Sequence, residues 1–251
     1  NLAVRNAGFP LTIEAAEGDG ERPIIIPGVT LEGISDVPFR PLDDLTLRGV
    51  FITGRDSNDG LIDQIIRIQA EGVRIIVDDC IMDESSQAAM RADTEDVKIY
   101  LTNSIVSRMG TPDDIDNGRV FDERGNNVDT LVFENNTIYN ITSRIIRNGG
   151  TNSIIRFCKF NQNTMLNVGQ RLSDFGPVIT FEFTNNIAIN GAFLGVEADR
   201  DPFNPNEPDP NQDPPTAAIV LDLVAQSILD EEGAAQSAII SNNNIYLTKA
   251  V

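Results

Sequence analysis

Short stretches of alternating hydrophobic and polar residues recur along the chain, each followed by Asn or Asp and then by an isolated aliphatic residue. Seven copies of this pattern occur, with a spacing mostly in the twenties. A period of this size holds three short strands and three turns, which is one coil of a solenoid. The copies span residues 45–52, 74–82, 97–105, 131–139, 154–160, 179–187 and 238–246.

The repeat predicts an all-β fold, a right-handed parallel β-helix that residues 1–251 form as a single domain. Successive coils of such a solenoid stack about 4.8 Å apart. Side chains along each strand alternate between the inside and the outside, so Leu131 and Phe133 are expected in the core. Val132 and Glu134 are expected on the outer surface.

An Asn follows most of the predicted strands. Asn tolerates the left-handed conformation of tight turns, and its amide can bond the equivalent residue of the next coil. We therefore expect an internal ladder of stacked asparagines with a structural role. Its predicted members are Asn103, Asn136, Asn186 and Asn243.

The segments 133–141 (FENNTIYNI) and 239–246 (IISNNNIY) resemble the coil motif of pectin-lyase-like right-handed β-helix proteins. They most resemble secreted members from Bacteroidetes-type bacteria, and the similarity extends over about residues 24–248. The resemblance implies the β-helix fold and a secreted protein, extracellular or at the cell surface. It implies no single function, because this superfamily includes lyases, hydrolases, adhesins and structural proteins.

The charge of the chain restricts the chemistry it can perform. Its 38 Asp and Glu outnumber 19 Lys and Arg, the formal net charge is −19, and there is no His. Such a charge repels nucleic acids and anionic lipid headgroups, so neither is expected as a partner. The lack of His excludes Ser-His-Asp hydrolases, Cys-His proteases and HExxH zinc enzymes. No apolar segment reaches the roughly 18 residues needed to span a bilayer.

Five arginines follow one another at steps of 24, 28, 28 and 24 residues, which predicts that they align on one face. One interpretation is a groove that binds a polyanionic glycan. The other is an arginine ladder neutralised by nearby acids, and the acidity of the chain favours it. The arginines are Arg67, Arg91, Arg119, Arg147 and Arg171, and the acids are Asp93, Asp122, Glu123 and Asp174.

A polar, turn-rich loop at residues 110–128 widens one coil. Within it, Asp114, Asp116 and Gly118 form Asp-x-Asp-x-Gly, which is half of a calcium-binding loop. The bidentate Glu that closes such loops is missing at the expected distance. An ordinary polar turn is therefore the favoured interpretation and a calcium site the alternative, and calcium is the one cofactor that the sequence suggests.

A longer interruption covers residues 193–233, and its first part, 199–215, is rich in Pro and Asp. This composition predicts an extended loop. Residues 217–229 follow a candidate N-cap and predict an amphipathic helix. We expect the helix to pack on the flank of the β-helix, and docking on a neighbouring subunit is the alternative. Its apolar positions are Ile219, Val220, Leu223, Val224 and Ile228.

Residues 77–81 (VDDCI) resemble the Asp-Asp-Cys signature of polygalacturonases, which are inverting glycosidases that use clustered carboxylates. The other elements of that signature are absent, and its His element has no counterpart in a chain without His. Asp78 and Asp79 are therefore interpreted as turn residues, in the positions that Asn135 and Asn136 occupy in another coil.

The two cysteines, Cys80 and Cys158, are expected three coils apart, or roughly 14 Å along the axis. This separation is too large for a disulfide, so both are predicted to be core thiols.

Neither end of the repeat carries an amphipathic cap, since residues 1–13 read as extended and residues 244–251 end on a strand. Either the sequence is a piece of a larger protein, or its bare ends stack head to tail on copies of itself and produce filaments. The leading hypothesis is a secreted, non-enzymatic structural protein of the cell surface or matrix. The alternative is a polysaccharide lyase or glycan-binding protein that acts along the arginine-lined face.

Overall fold

The computed structural model describes residues 4–16, 18, 20–28, 37–148, 153–191 and 219–246. Within these residues the chain forms strands β1 to β21 and one α-helix, α1. The strands follow one another around three faces, and all of the strand pairs in the sheets are parallel. The prediction of an all-β parallel β-helix is confirmed.

The three faces are called sheets A, B and C. Sheet A contains β5 (Gln64–Ile68), β8 (Ala88–Ala92), β11 (Arg119–Asp122), β14 (Arg144–Arg147), the first part of β17 (Ser173–Thr184) and β19 (Ile219–Asp222). Sheet B contains β1 (Leu11–Glu14), β3 (Leu45–Arg48), β6 (Arg74–Asp78), β9 (Val97–Thr102), β12 (Val128–Glu134), β15 (Ile155–Asn161), the rest of β17, and β20 (Ser237–Ser241). Sheet C contains β2 (Ile24–Ile25), β4 (Phe51–Thr53), β7 (Ile81–Ser85), β10 (Ile105–Met109), β13 (Thr137–Ile141), β16 (Thr164–Val168), β18 (Ile187–Gly191) and β21 (Asn244–Tyr246).

Each of the seven predicted repeats contains part of a strand of sheet B, and six of them continue into the next strand of sheet C. The pattern does not reveal the earlier coil that begins with β1, although β1 pairs in register with β3. The reason is local: β1 ends at Glu14 and β2 begins only at Ile24, so the short Asn-containing turn of the other coils is replaced by a longer loop.

A two-residue turn joins sheet B to sheet C in the later coils. Its first residue is left-handed, with φ between 51° and 69°, which Gly, Asn and Asp adopt at least cost. The second residue points into the coil and begins the path to sheet C. The first-residue row is Gly49, Asp79, Asn103, Asn135, Gln162, Asn185 and Asn242, and the second-residue row is Val50, Cys80, Ser104, Asn136, Asn163, Asn186 and Asn243.

Alternate residues of sheet B form columns of side chains through the core. Leu131 and Phe133 are fully buried and Glu134 is partly exposed, as predicted, whereas Val132, which was expected on the outer surface, is only 9% exposed although it lies outside the core cluster. The rings of Phe133 and Phe160 stack with centroids 4.7 Å apart. One such column, in register order, is Leu47, Val77, Leu101, Phe133, Phe160, Phe183 and Ile240.

The segment after the long interruption differs from the prediction. Residues 219–222 are strand β19, which extends sheet A by pairing with β17, and α1 covers only Gln226–Glu232. The prediction of a helix over 217–229 is therefore wrong for residues 219–222. These residues are β-branched or aliphatic for the most part and also suit a strand, and pairing with β17 provides hydrogen bonds for their backbone. Val224 and Leu229 pack with Ile154 and Ile179 on the flank of the coil. Residues 192–218 lie outside the described residues.

Both cysteines are buried free thiols. Cys80 follows β6 and Cys158 lies in β15, three coils further along sheet B, as predicted. The register corrects the interpretation of the preceding acids: Asp79 is equivalent to Asn135, and Asp78 to Glu134, one position earlier than predicted.

Candidate functional site

Sheet A carries an in-register row of charged residues, one from each of five successive coils. The row consists of Arg67, Arg91, Asp122, Arg147 and Asp174. Adjacent members come from strands about 4.8 Å apart. The row therefore alternates in charge over its last four members rather than presenting arginines alone.

Asp93 pairs with both of the first two arginines of this row. Its two carboxylate oxygens lie 2.6 Å from Arg67 Nε and 2.7 Å from Arg91 Nε. Partial burial acts to raise the pKa of Asp93, but the hydrogen bonds from both guanidinium groups outweigh it, and the pKa lies below its ordinary value. Neither arginine is therefore a free cation at neutral pH.

A loop at residues 110–118 lies beside the middle of the row. Gly110 and Gly118 form its base at φ values of 91° and 106°, and a Cβ on either would collide with the Thr142 hydroxyl. That hydroxyl lies within hydrogen-bonding distance of the carbonyl oxygens of Met109 and Asn117. Glycine is thus required at both positions, and the loop is fastened to the next coil.

Arg119 and Asp122 are almost completely buried near this loop, at 3% and 2% exposure. Arg119 Nη1 donates to Asn117 Oδ1 at 2.9 Å and lies 3.5 Å from Asp122 Oδ2. Burial lowers the pKa of Arg119 to about 10, with Asp122 opposing the shift. Among the described residues, Asp122 Oδ1 and Arg119 Nε have no hydrogen-bond partner, so this buried pair is only partly satisfied.

Asp174, at the end of the row, interacts with two arginines. Its Oδ2 lies 3.2 Å from Arg144 Nη1 and 3.6 Å from Arg171 Nη1. Burial raises the pKa of Asp174, and the two arginines only partly offset this effect. Asp174 therefore differs from Asp93, whose pKa is lowered, although both lie on the same sheet.

The five predicted arginines do not form one line. Arg67, Arg91 and Arg147 belong to the row, whereas Arg119 lies three residues before Asp122 and Arg171 precedes β17. Four of the five have an Asp within 4 Å, and these acids are Asp93, Asp122 and Asp174. The arginines do not align because the coils differ in length. A similar spacing in sequence therefore does not place residues at the same position of successive strands.

The two aspartates of the predicted calcium loop bind protein donors instead of converging on one point. The Asp114 carboxylate accepts a hydrogen bond from Asn117 Nδ2, and the Asp116 carboxylate accepts one from Gln170 Nε2. The described residues contain no group of three or more metal-ligating side chains. These contacts lend no support to a calcium site, which stays a prediction.

The inward row of the B–C turns contains a buried asparagine ladder. The Nδ2 groups of Asn136, Asn163 and Asn186 donate to the Oδ1 of the next member at 2.9, 3.0 and 3.0 Å, and the ladder ends on Asn243. Three of the four predicted asparagines thus lie in it. Asn103 does not, because it occupies the exposed left-handed position, and the inward position of its coil holds Ser104.

Asn163 belongs to this ladder but was not predicted from the repeat. In its coil the left-handed residue is Gln162, so the Asn-Asn signature of the neighbouring coils is interrupted. Its Nδ2 also contacts the Phe133 carbonyl oxygen at 2.9 Å. Asn163 could have been identified from its position, because it is the second residue after the end of its sheet B strand, as Asn136 and Asn186 are in their coils.

A cleft of about 830 Å³ lies beside the first coils, lined by the β1–β2 loop and by the B–C turns of the next two coils. Its two arginines are engaged: Arg22 pairs with Asp79, and Arg48 lies 3.5 Å from Glu14 and 3.4 Å from Asp78. The cleft thus has a mixed lining in which three acidic residues, Glu14, Glu21 and Asp79, outnumber the two arginines.

The last described coil exposes side chains that the middle coils bury. Ile240 is 64% exposed, whereas Phe183, its in-register partner in the same core column, is 1% exposed. Ile245 is 40% exposed, whereas its partner Ala188 is fully buried. Among the described residues, β20 and β21 each pair with a strand on one side only.

Comparisons with known proteins do not place the chain in a family. No family model matches it, and neither the curated proteins nor the solved structures contain a match. The part of the chain that the structure describes contains no helix long and apolar enough to cross a membrane.

Proposed function

We propose that this chain is a structural protein of the cell surface or extracellular matrix that assembles by stacking its β-helix end to end. The observation that carries the proposal is the exposure of Ile240 at a position that the preceding coil buries completely. Among the described residues, β20 and β21 pair on one side only, so unpaired backbone groups and apolar side chains occur together there, which favours pairing with another strand.

The first described coil offers a matching surface. Its sheet B strand, β1, places Leu11 and Ile13 in the same inward columns that end with Ala238 and Ile240. Stacking one copy on the next would therefore set Ala238 against Leu11 and Ile240 against Ile13. Such a contact joins two different surfaces and does not close, so it generates a filament.

The charge distribution supports this orientation. Strands β20 and β21 contain no charged residue, although the net charge of the chain is −19. Acidic side walls would repel each other laterally, whereas the uncharged strands β20 and β21 can approach a second copy. Membership in the pectin-lyase-like superfamily and a location outside the cell are parts of the same proposal, supported by the repeated Asn-containing turn.

Electron microscopy and analytical ultracentrifugation of the purified chain at increasing concentration test the proposal. The expected result is concentration-dependent filaments with the width of one β-helix. Ile240→Lys should abolish them, because a charge would be buried at the junction. Ile239→Lys is the matched control. Ile239 precedes Ile240 on β20, its side chain points outward, and it is 56% exposed, so filaments should persist. A monodisperse monomer at all concentrations would contradict end-to-end stacking.

The alternative is a polysaccharide lyase or a protein that binds anionic glycans along sheet A. It has less support, because Asp93, Asp122 and Asp174 accompany the arginines there. Incubation with alginate, pectate and chondroitin, monitored by the ultraviolet absorbance of an unsaturated product, tests it directly. Product formation that Arg91→Ala or Arg147→Ala abolishes would favour the lyase over the structural protein.

A further inference from the structure

The later part of sheet C forms an uncharged face, defined here as strands β13, β16, β18 and β21. None of these four adjacent strands contains Asp, Glu, Lys or Arg. The nearest charged residues on the sheet, Asp83, Glu84 and Arg108, belong to β7 and β10 and pair with one another. In a chain with a net charge of −19, a continuous surface without charge is a distinct feature.

One outward row of this face is apolar and aromatic. It contains Tyr139, Leu166, Ile189 and Tyr246, one from each coil and in register. Ile189 is 39% exposed and Tyr246 is 61% exposed. Ile187 adds a further exposed aliphatic side chain on β18. The row thus offers a flat apolar strip that runs along the helix axis.

A row of asparagines borders the strip. Asn140, Asn167 and Asn190 are left-handed, and their side chains stack, with Nδ2 of Asn167 and of Asn190 donating to the preceding Oδ1 at 2.9 and 3.0 Å. An amide NH₂ has two donors, and the bond from Asn167 to Asn140 uses one of the two on Asn167. An apolar strip beside a line of amides matches a ligand with an apolar face and hydroxyl groups along its edge.

The size of the face argues against a second copy of the chain. Four strands at about 4.8 Å and three or four residues at about 3.3 Å give an area of roughly 200 Å². A stable protein–protein interface buries about 800 Å² on each partner. A peptide that adds to a sheet needs a free strand edge, but the backbone of a sheet face is already paired. The periodic spacing instead suits a linear polymer of repeating units.

We infer that the uncharged face of sheet C binds a neutral polysaccharide, whose sugar rings lie on Tyr139, Leu166, Ile189 and Tyr246 and whose hydroxyl groups bond the asparagine row. The acidic chain repels uronate polymers, and a neutral glycan avoids this repulsion. The inference concerns the outward side of sheet C, not the inward columns proposed to meet at the junction, and three of its four row residues lie before the last described coil, so it does not depend on end-to-end stacking.

The test measures depletion of the soluble protein by microcrystalline cellulose, by chitin and by alginate gel. All proteins carry Ile240→Lys, so that filaments do not sediment. The expected result is depletion by at least one of the two neutral polymers and none by alginate. Ile189→Lys should lower the bound fraction at least fivefold. Tyr100→Lys, an outward aromatic position on sheet B, should bind as the parent does, and thermal unfolding monitored by circular dichroism verifies that both variants fold.

Three results would overturn the inference. The first is no depletion by cellulose or chitin. The second is equal binding by the Ile189→Lys and Tyr100→Lys proteins. The third is a parent protein that is dimeric by light scattering and becomes monomeric with Ile189→Lys, because the face would then belong to a second copy. Retention on alginate alone is a case of the first result and would direct attention to the arginines of sheet A.

Discussion

The middle coils and the last described coil have the same order of strands and turns. They differ in the number of neighbouring coils, since among the described residues a middle coil has two and the last has one. In the middle, Phe160 lies between Phe133 and Phe183 and is fully buried. At the end, Ile240 has Phe183 on one side and is mostly exposed. A solenoid is stabilised mainly by the contacts between neighbouring coils, so a coil with one neighbour gains about half of this stabilisation. Equivalent positions should therefore respond differently to substitution.

The largest difference is expected in the phenylalanine column. Phe160→Ala removes a ring that stacks on Phe133 at 4.7 Å and contacts Phe175 at 5.0 Å, so it should lower the free energy of unfolding by about 3–5 kcal/mol. Ile240→Ala should lower it by less than about 0.5 kcal/mol, because the side chain is mostly exposed. Urea unfolding at low protein concentration measures both. Similar losses would show that the last coil is covered in solution.

A second, smaller difference is expected in the asparagine ladder. Asn163→Ala removes the buried acceptor of the Asn136 backbone N–H and the side-chain donor to the Phe133 carbonyl oxygen, at a cost of about 2–3 kcal/mol. Asn243→Ala removes the acceptor for Asn186, but water can reach this end, and we expect about 1 kcal/mol. Chemical unfolding of the two variants measures the difference. Asn103→Gly, in the exposed row, keeps the left-handed turn without strain, so it is the control and should cost less than either.

The smallest effect is expected in the pH dependence of stability. The pKa of Asp93 is lowered, so its contribution is present above the ordinary value of 3.8 and is lost as the pH falls through the folded-state pKa. The pKa of Asp174, near the last coil, is raised, so its ionisation reduces stability as the pH rises from 3.8 towards the folded-state pKa. Asp93→Asn should reduce the loss of stability that occurs as the pH falls. Asp174→Asn should reduce the loss of stability that occurs as the pH rises from 3.8 towards the folded-state pKa of Asp174.

Thermal unfolding of both Asn variants between about pH 3 and pH 8 measures these slopes. Slopes of the same sign for the two aspartates would contradict the environments described for them. Added salt provides a check, because it should weaken the half-exposed Arg67–Asp93 pair more than the interactions of Asp174 with Arg144 and Arg171.

Much of the fold could be predicted from the sequence. The alternation that places Leu131 and Phe133 inside is a property of any strand, and the recurrence of Asn reports a left-handed turn that few residues tolerate. The error over residues 219–222 has a different origin. Apolar residues there fit a helix by spacing and a strand by type, and pairing with β17 decides between the two.

The candidate sites could be predicted only in part. The arginines were recognised, and so were their acidic partners, but Asp122 was not expected within the row. The step from Arg91 to Asp122 is 31 residues because the loop at 110–118 lengthens that coil, and the next step, to Arg147, is only 25. The uncharged face of sheet C was not expected either, since its four strands are far apart in sequence.

The sequence by itself determined the structure of the single coil, because side-chain alternation along a strand and the residues that tolerate a left-handed turn are both local properties of the sequence. Only the tertiary structure decided which residue of one coil meets which residue of the next, because register depends on the lengths of all intervening loops. That register makes Asp122 a neighbour of Arg91, aligns Tyr139 with Leu166, and places the mostly exposed Ile240 in the last described coil. The surfaces proposed to act are products of stacking, which no single repeat contains.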